Sequence, residues 1–316
     1  MIDYSQWVAV SDGRAGNVRQ ATALVSALSR DAGGSCLLSP RAPWRWLAPR
    51  RWPGSSGAFG DDFARLLSAP PGIAVGCGRQ AALATRLLRD RGTRVVQVLD
   101  PRLDPAHWDV VVAPVHDGLA GDNVIATLGS LHPVDDAWLA RARAQFAAFE
   151  MLPRPRTALL VGGGSAHARF DLATFEVLAS RLDAAVAREG GCVLATASRR
   201  TPREVREALH DRYGPGPGLA WREDGDGRNP YPGLLAWADR IVCSPDSVNM
   251  VSEACATRAP VFVFEPGRVT GRPRRFLEAL LASGRIRAMD IGLAAFEVEP
   301  LRETARVAAE IERRFA

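Results

Sequence analysis

The densest group of chemically useful residues is the segment ADRIVCSPDSVNMVSEACA, residues 238–256. Arg240 to Cys243 reads as a short strand that ends at Ser244, and Ser244, Asp246 or Ser247 can cap the helix that follows. On that helix Asp246, Asn249, Met250 and Glu253 fall at i, i+3, i+4 and i+7 and share a face, while Val248, Val251, Ala254 and Cys255 are apolar. A carboxylate on an otherwise apolar helix needs a partner, because burying it alone is costly. A nucleotide ribose, with two hydroxyl donors, is one such partner for Glu253, and an arginine such as Arg258 or Arg275 is another. In the ribose reading the unoccupied carboxylate faces water.

Other junctions carry glycine or polar residues where a strand meets a helix: Asp12 to Asn17, Gly76 to Arg79, Gly162 to Ser165, and Ser198 to Thr201. Helix N-termini at such junctions offer free N–H groups and a positive dipole end to phosphate, and glycine lets the backbone approach closely. None matches the dinucleotide fingerprint or a Walker loop. Each alone is an ordinary turn; together, two in each half, they favour a ligand site.

For acid–base work the candidates are His116 and Asp117, which follow the apolar run Val110 to Pro114, together with Asp12 and Asp122. Imidazole has a suitable pKa to take a proton from a sugar hydroxyl. The alternative, that His116 only holds a loop, stands beside it. His132 and His167 are weaker candidates, and His107 and His210 read as surface residues. No Gly-x-Ser-x-Gly elbow supports serine-hydrolase chemistry, and no cluster has metal-ligand spacing.

Positioning these residues falls to a βα rhythm. Trp7–Val10, Ile73–Val75, Val95–Leu99 and Val110–Pro114 read as strands, with helices over Arg19–Leu28 and Ala81–Leu88. Leu152-Pro153-Arg154-Pro155-Arg156 breaks both patterns and reads as a linker, dividing the chain into domains 1–153 and 154–316. The rhythm then restarts: strands at Thr157–Val161, Cys192–Thr196, Arg240–Cys243 and Pro260–Phe264, with helices at Phe175–Arg188, Arg203–Tyr213, Leu234–Asp239, Val248–Ala256 and Leu301–Arg314. Residues 215–227 read as a turn-rich loop. Alternating strands and helices argue for parallel sheets covered on both faces.

The 316 residues, 47% hydrophobic and 24% charged, describe a packed chain rather than a disordered one. The net charge of +5 suits an anionic ligand, a membrane surface or nucleic acid without choosing among them. The five cysteines, Cys36, Cys77, Cys192, Cys243 and Cys255, are scattered and mostly within apolar runs, which indicates buried thiols in a reducing, cytoplasmic setting. MIDYSQWVAV lacks the pattern of a secretion signal, and no stretch reaches the roughly 18 apolar residues of a membrane span. Any membrane role is therefore peripheral. Between Ser39 and Gly60 a long loop, with one helical turn at most, interleaves Trp44, Trp46 and Trp52 with Arg41, Arg45, Arg50 and Arg51. That mixture suits a membrane interface, single-stranded nucleic acid, or tryptophans simply packed under a loop.

The run AWADRIVCSPDSVNMVSEACATRAPVFVF resembles the nucleotide-sugar signature of GT-B glycosyltransferases, most closely that of the enzyme adding N-acetylglucosamine to the lipid-linked peptidoglycan precursor. The resemblance implies that Glu253 contacts the ribose, and that Ser247, Val248 and the glycine loop lie by the pyrophosphate. SDGRAGNVRQ, VVAPVHD, GDNVIATLGSLHPV, SRRTP and NPYPGLLAWAD extend a second resemblance along almost the whole chain, to the mitochondrial-fission (Elongate Mitochondria) family in its bacterial form. That family is similar to GT-B enzymes, and its plant members are linked to mitochondrial division through a dynamin-related partner.

These resemblances imply an α/β, GT-B-like fold, two Rossmann-like domains facing across a cleft, the terminal helix packing back on the first. The implied nucleotide set is Gly162, Gly163, Gly164, Ser165, Ser198, Arg199, Arg200, Asn229, Tyr231, Ser244, Asp246, Ser247, Val248, Asn249 and Glu253. Gly13, Arg14, Gly16, Asn17, Gln20, Gly78, Arg79, Asp122 and Asn123 form the acceptor set, His116, Asp117 and Asp12 the catalytic set, and Trp44, Trp46, Arg50 and Arg51 the membrane set. The expected activity is inverting transfer from a nucleotide-diphosphate sugar to an envelope lipid or glycan, with no cofactor and no metal. The rival expectation is a catalytically silent scaffold binding a protein at a membrane. Nucleic acid is not expected as a partner, because the arginines are spread out.

Overall fold

The computed structural model describes residues 7–30 and 33–316, so the first six residues of MIDYSQWVAV lie outside it. The chain forms two units, Met1–Pro133 with Glu303–Ala316, and Val134–Arg302.

In unit 1, β1 (Trp7–Ser11), α1 (Ala15–Ser29), β2 (Gly34–Leu37), α2 (Trp44–Leu47), α3 (Asp61–Ser68), β3 (Ile73–Cys77), α4 (Arg79–Arg89), β4 (Arg94–Val98), β5 (Val110–Pro114) and β6 (Val124–Thr127) follow in order. The six strands form one sheet in the order β2-β1-β3-β4-β5-β6, every pair parallel. A sheet covered on both faces needs strands that are apolar on both sides, and Ile73–Cys77 and Val110–Pro114 are buried throughout. Their alternate side chains feed two cores. Ala9, Val75, Val96 and Val112 join α1 on one face. Val10, Ala74, Val95 and Val111 join α3 and α4 on the other.

Unit 2 opens with α5 (Asp136–Gln145) and continues through β7 (Arg156–Val161), α6 (Leu172–Glu189), β8 (Cys192–Ala197), α7 (Arg203–Tyr213), β9 (Leu219–Trp221), α8 (Tyr231–Trp237), β10 (Arg240–Cys243), α9 (Val248–Cys255), β11 (Val261–Val263), α10 (Gly271–Ala282) and β12 (Ile286–Ala288). Its sheet is again six-stranded and parallel, in the order β12-β11-β10-β7-β8-β9. The last helix, α11 (Glu303–Phe315), returns to unit 1. It places Val307, Ala308, Ile311 and Phe315 in the core beside α1, and Arg94 donates to the Phe315 carbonyl at 2.7 Å.

The division falls at Val134, not at the prolines near residue 153. Arg143 on α5 donates to the Ala236 carbonyl at 2.9 Å. Phe146 and Phe149 lie so close to Gly233 that a Cβ there would come within 2.6 and 2.7 Å of them. Arg156 donates back to the Phe149 carbonyl at 2.9 Å. These contacts bind residues 134–153 to unit 2, so the proline-rich stretch is an internal turn rather than a linker. Helix α8 starts at Tyr231 instead of Leu234, because Pro232 in the first turn has no N–H to waste and its φ suits a helix start. Four short strands, β2, β6, β9 and β12, and helices α3, α5 and α10 are additions to the sequence reading. Among the described residues no helix is long and apolar enough to cross a membrane.

Candidate functional site

In an open parallel sheet all strand ends of one kind share an edge, and ligands settle at the carboxyl edge where the strand order reverses. In unit 2 the chain winds outward through β7, β8 and β9, then resumes on the other side of β7 with β10. The reversal therefore lies between β7 and β10.

There the backbone after β7 meets the loop after β10. The Gly162 N–H donates to Ser244 Oγ at 2.7 Å, and Ser244 Oγ in turn donates to Asp246 Oδ1 at 2.7 Å. The Gly163 N–H donates to Asp246 Oδ2 at 2.8 Å. The approach explains both glycines. A Cβ on Gly162 would lie 2.2 Å from Asp246 Oδ2, and one on Gly163 only 2.1 Å from the Arg200 carbonyl oxygen. From the turn after β8, the Arg200 guanidinium comes within 3.6 Å of the same carboxylate. Thr201 donates to the Gly162 carbonyl, and the Ser198 N–H donates to Thr201 Oγ1 at 2.9 Å. Burial pushes the Asp246 carboxyl above its ordinary pKa, against the opposing pull of Ser244, Arg200 and the Gly163 N–H.

Three strand ends thus converge on one buried carboxylate. Asp246 is not on the face of α9, as the i, i+3, i+7 reading expected; it sits before the helix, which Ser247 caps by accepting from the Met250 N–H at 3.4 Å. Glu253 is 4% exposed and does not face water. Its spacing predicts a shared polar face, yet it is Val248, Asn249 and Met250 in the first turn that are half-exposed. Arg258, one partner considered for Glu253, lies 4.0 Å from Asp136. Gly164 has room around it, and Ser165 folds its own turn, its hydroxyl accepting from the His167 and Ala168 N–H groups at 3.2 and 3.1 Å. Arg199 is exposed. Asn229 and Tyr231 reach the carboxyl edge beyond the outermost strand, β9, where Asn229 Oδ1 accepts from the Tyr231 N–H at 2.9 Å as α8 begins.

In unit 1 the order reverses between β1 and β3. Asp12 follows β1, and its carboxylate accepts from Asn17 Nδ2 at 2.9 Å and from the Arg14 N–H at 3.3 Å, with Arg14 Nε at 3.5 Å. Gly78 follows β3 in the left-handed region at φ 85°, and a Cβ there would meet Asn17 Nδ2 at 2.4 Å. Gly13, at φ 77°, makes the turn that brings Asp12 back to Asn17. Gly16 lies in the first turn of α1. His116 and Asp117 form a half-buried turn after β5 on the same edge, three strand spacings from β1, or about 14 Å across the sheet.

Four members of the acceptor set do other work. Arg79 donates to the carbonyls of Arg45, Trp46 and Ala48 at 2.9, 3.1 and 3.0 Å. Gln20 is buried, its Oε1 accepting from the Leu131 N–H at 3.4 Å. Asp122 and Asn123 precede β6 and so lie at the amino edge, opposite Asp12 and His116, because every strand runs the same way. There Asn123 holds the carbonyls of Pro105 and Trp108 at 2.8 and 2.9 Å. Of the aromatic loop, Trp44 is half-buried against the core, whereas Trp46 and Trp52 are 65% and 55% exposed; Trp52 replaces Trp44 in the exposed set. Arg51 pairs with Asp90.

Two features, one at the carboxyl edge of each sheet, are not legible in the sequence. Leu99, just after β4, adopts φ 72°, a conformation that costs a branched residue energy and concentrates at ligand sites; next to it Asp100 accepts from the Arg102 N–H at 2.8 Å. Nothing in the residue type signals a left-handed leucine. The role of Thr201 was hidden for a different reason: its partners lie 39 and 40 residues away. All five cysteines are buried and free. Among the described residues no group of three His, Cys, Asp or Glu side chains could hold a metal ion.

The mitochondrial fission ELM1 family model matches residues 15–315. The mitochondrial fission protein ELM1 of Arabidopsis thaliana is 29% identical over 278 residues, covering 78% of this chain and 64% of that protein, so the chain spans less than two thirds of this relative's length. Among solved structures, the UDP-GlcNAc 2-epimerase of Methanocaldococcus jannaschii aligns with a TM-score of 0.54 at 14% identity, over 97% of this chain and 99% of that one. A calicheamicin glycosyltransferase aligns with a TM-score of 0.50 at 13% identity, over 98% of each chain. The fold, with its two Rossmann-like sheets, is the α/β GT-B type of these neighbours, and the match over residues 15–315 shows that the chain belongs to the mitochondrial fission ELM1 family.

Proposed function

We propose that unit 2 binds a nucleotide-diphosphate sugar at the β7–β10 reversal, and that the chain is an inverting, metal-independent glycosyltransferase acting on an envelope lipid or glycan. The observation that carries this reading is the pinning of Gly162 and Gly163 by Ser244 and Asp246. Those two N–H groups are taken by Ser244 and Asp246, so the bonds fix the glycine loop beside the half-exposed first turn of α9, and it is that helix start that is preorganised for a diphosphate. In this reading Glu253 receives the ribose hydroxyls, and Arg199 and Arg200 offset charge on the leaving diphosphate. The acceptor hydroxyl oxygen forms the new bond to the anomeric carbon as the bond to the diphosphate breaks. Its proton passes to His116, with Asp117 and Asp12 as the other candidate bases. The nucleoside diphosphate departs as the leaving group.

The test is a thermal-shift screen of nucleoside diphosphates and their sugars, beginning with UDP-GlcNAc because an epimerase of this fold is named for it. Ligand at about 100 times its Kd stabilises the native state by roughly 2.7 kcal/mol. A melting temperature unmoved by every compound sinks the reading. Family membership supports a second one, a catalytically silent scaffold for a protein partner at a membrane, as the fission protein of Arabidopsis thaliana is named for fission rather than for a reaction.

A further inference from the structure

We infer that the loop 41–54 of unit 1 is a preorganised docking surface for an anionic lipid bilayer. Residues 41–60 hold four arginines and no acidic residue; Arg41 pairs with Asp61 at 3.3 Å and Arg51 with Asp90, which leaves Arg45 and Arg50 for a ligand. The loop is latched from beneath by α4. Besides the three bonds from Arg79, Gln80 donates to the Arg45 carbonyl at 2.8 Å, and Arg86 donates to the Pro49 carbonyl at 3.0 Å. Trp44, half-buried, packs against the core and anchors the loop. With backbone and anchor provided for, Trp46 and Trp52 are left in water at 65% and 55% exposure.

Their surroundings match one kind of partner. The Arg45 guanidinium lies over the Trp46 ring at 5.2 Å. Among the described residues Arg45, Arg50 and Arg91 have no acidic partner, and all three are exposed. A hollow of about 500 Å³ opens beside Trp52, walled by Leu67 and Leu87 and rimmed by Arg51, Ser56, Asp90 and Arg91, with Asp90 paired to Arg51. Indoles favour the depth where acyl chains meet headgroups, and arginines there meet lipid phosphate. Single-stranded nucleic acid asks instead for a row of stacking rings along a basic groove, whereas one of these three indoles, Trp44, is half-buried against the core. The inference is independent of nucleotide binding, which belongs to unit 2.

The experiment is flotation of the full chain with phosphatidylcholine vesicles, with and without phosphatidylglycerol. Binding is expected only with the anionic lipid, and added salt weakens it. Arg45→Ala with Arg50→Ala should weaken binding roughly fivefold per arginine. Trp46→Ala with Trp52→Ala should also release the protein, without lowering the melting temperature. Brominated phosphatidylglycerol should quench the wild-type tryptophan fluorescence, a readout that needs no variant. Equal retention on neutral vesicles overturns the inference, as does an absence of quenching or displacement from the vesicles by single-stranded RNA.

Discussion

The Asp246 carboxylate accepts a hydrogen bond from the Gly163 N–H across 83 residues of sequence, at 2.8 Å. It also accepts from Ser244 Oγ, so one buried side chain fixes the carboxyl ends of β7 and β10 together. Asp246→Ala leaves the Gly163 N–H and the Ser244 hydroxyl without that acceptor. The expected loss is about 1–3 kcal/mol of folding stability, measured by urea unfolding, with weaker nucleotide binding. Unchanged stability would mean that the three-way junction holds without its carboxylate.

The same residue gives a pH signature. Burial is the dominant influence and raises the native pKa above the ordinary 3.8. As the pH rises through the interval between the unfolded and native values, the unfolded chain releases its proton first, so the native state is the one holding more protons. The contribution of Asp246 to stability therefore falls as the pH rises. The stability of wild type relative to Asp246→Asn should decline as the pH rises above about 4. Parallel unfolding titrations of the two proteins check this, and a relative stability that climbs over that range contradicts it.

The glycine loop predicts its own control. Gly163→Ala drives a Cβ into the Arg200 backbone, whereas Gly164→Ala meets nothing nearer than 3.4 Å. Overpacking of this kind costs about 1–3 kcal/mol. A lower melting temperature and weaker nucleotide binding are expected for Gly163→Ala, with Gly164→Ala close to wild type in stability. Equal melting temperatures for both variants would count against the close approach.

Glu253→Gln keeps size and removes charge. Loss of a charge-assisted hydrogen bond to a ribose should weaken nucleotide binding by about 1.5–3 kcal/mol, roughly 10- to 150-fold. Because Glu253 is buried in the free protein, melting temperature responds as well and does not separate the ribose role from a structural one. Calorimetric titration well below the melting temperature does so, and identical isotherms end the ribose assignment.

For the base, His116→Ala and Asp117→Asn should each lower turnover by about 100-fold while nucleotide affinity holds. If both variants turn over like wild type, the proton goes elsewhere on this edge, and Asp12, already oriented by Asn17, is the next residue to replace.

Local sequence was enough for the βα rhythm, because strands buried on both faces must be largely apolar; Val110–Pro114 has the bounds its hydrophobic run indicates. It was enough to mark Gly162, Gly163, Ser244 and Asp246 as a group worth watching, since their types and strand-end positions are local properties. It was not enough for what each does. Asp246 and Glu253 share a helical spacing, yet one belongs to a loop and the other to a buried helix face, because the helix begins only after Ser247. Asp122 resembles Asp12 in type, but the parallel sheet sends them to opposite edges. Arg79 stands beside a phosphate-loop-like glycine, yet spends its guanidinium on the carbonyls of a loop more than 30 residues away. Hydrogen-bond partners distant in sequence are chosen by strand order, and strand order is set by how the helices cover the sheet, which no local pattern encodes.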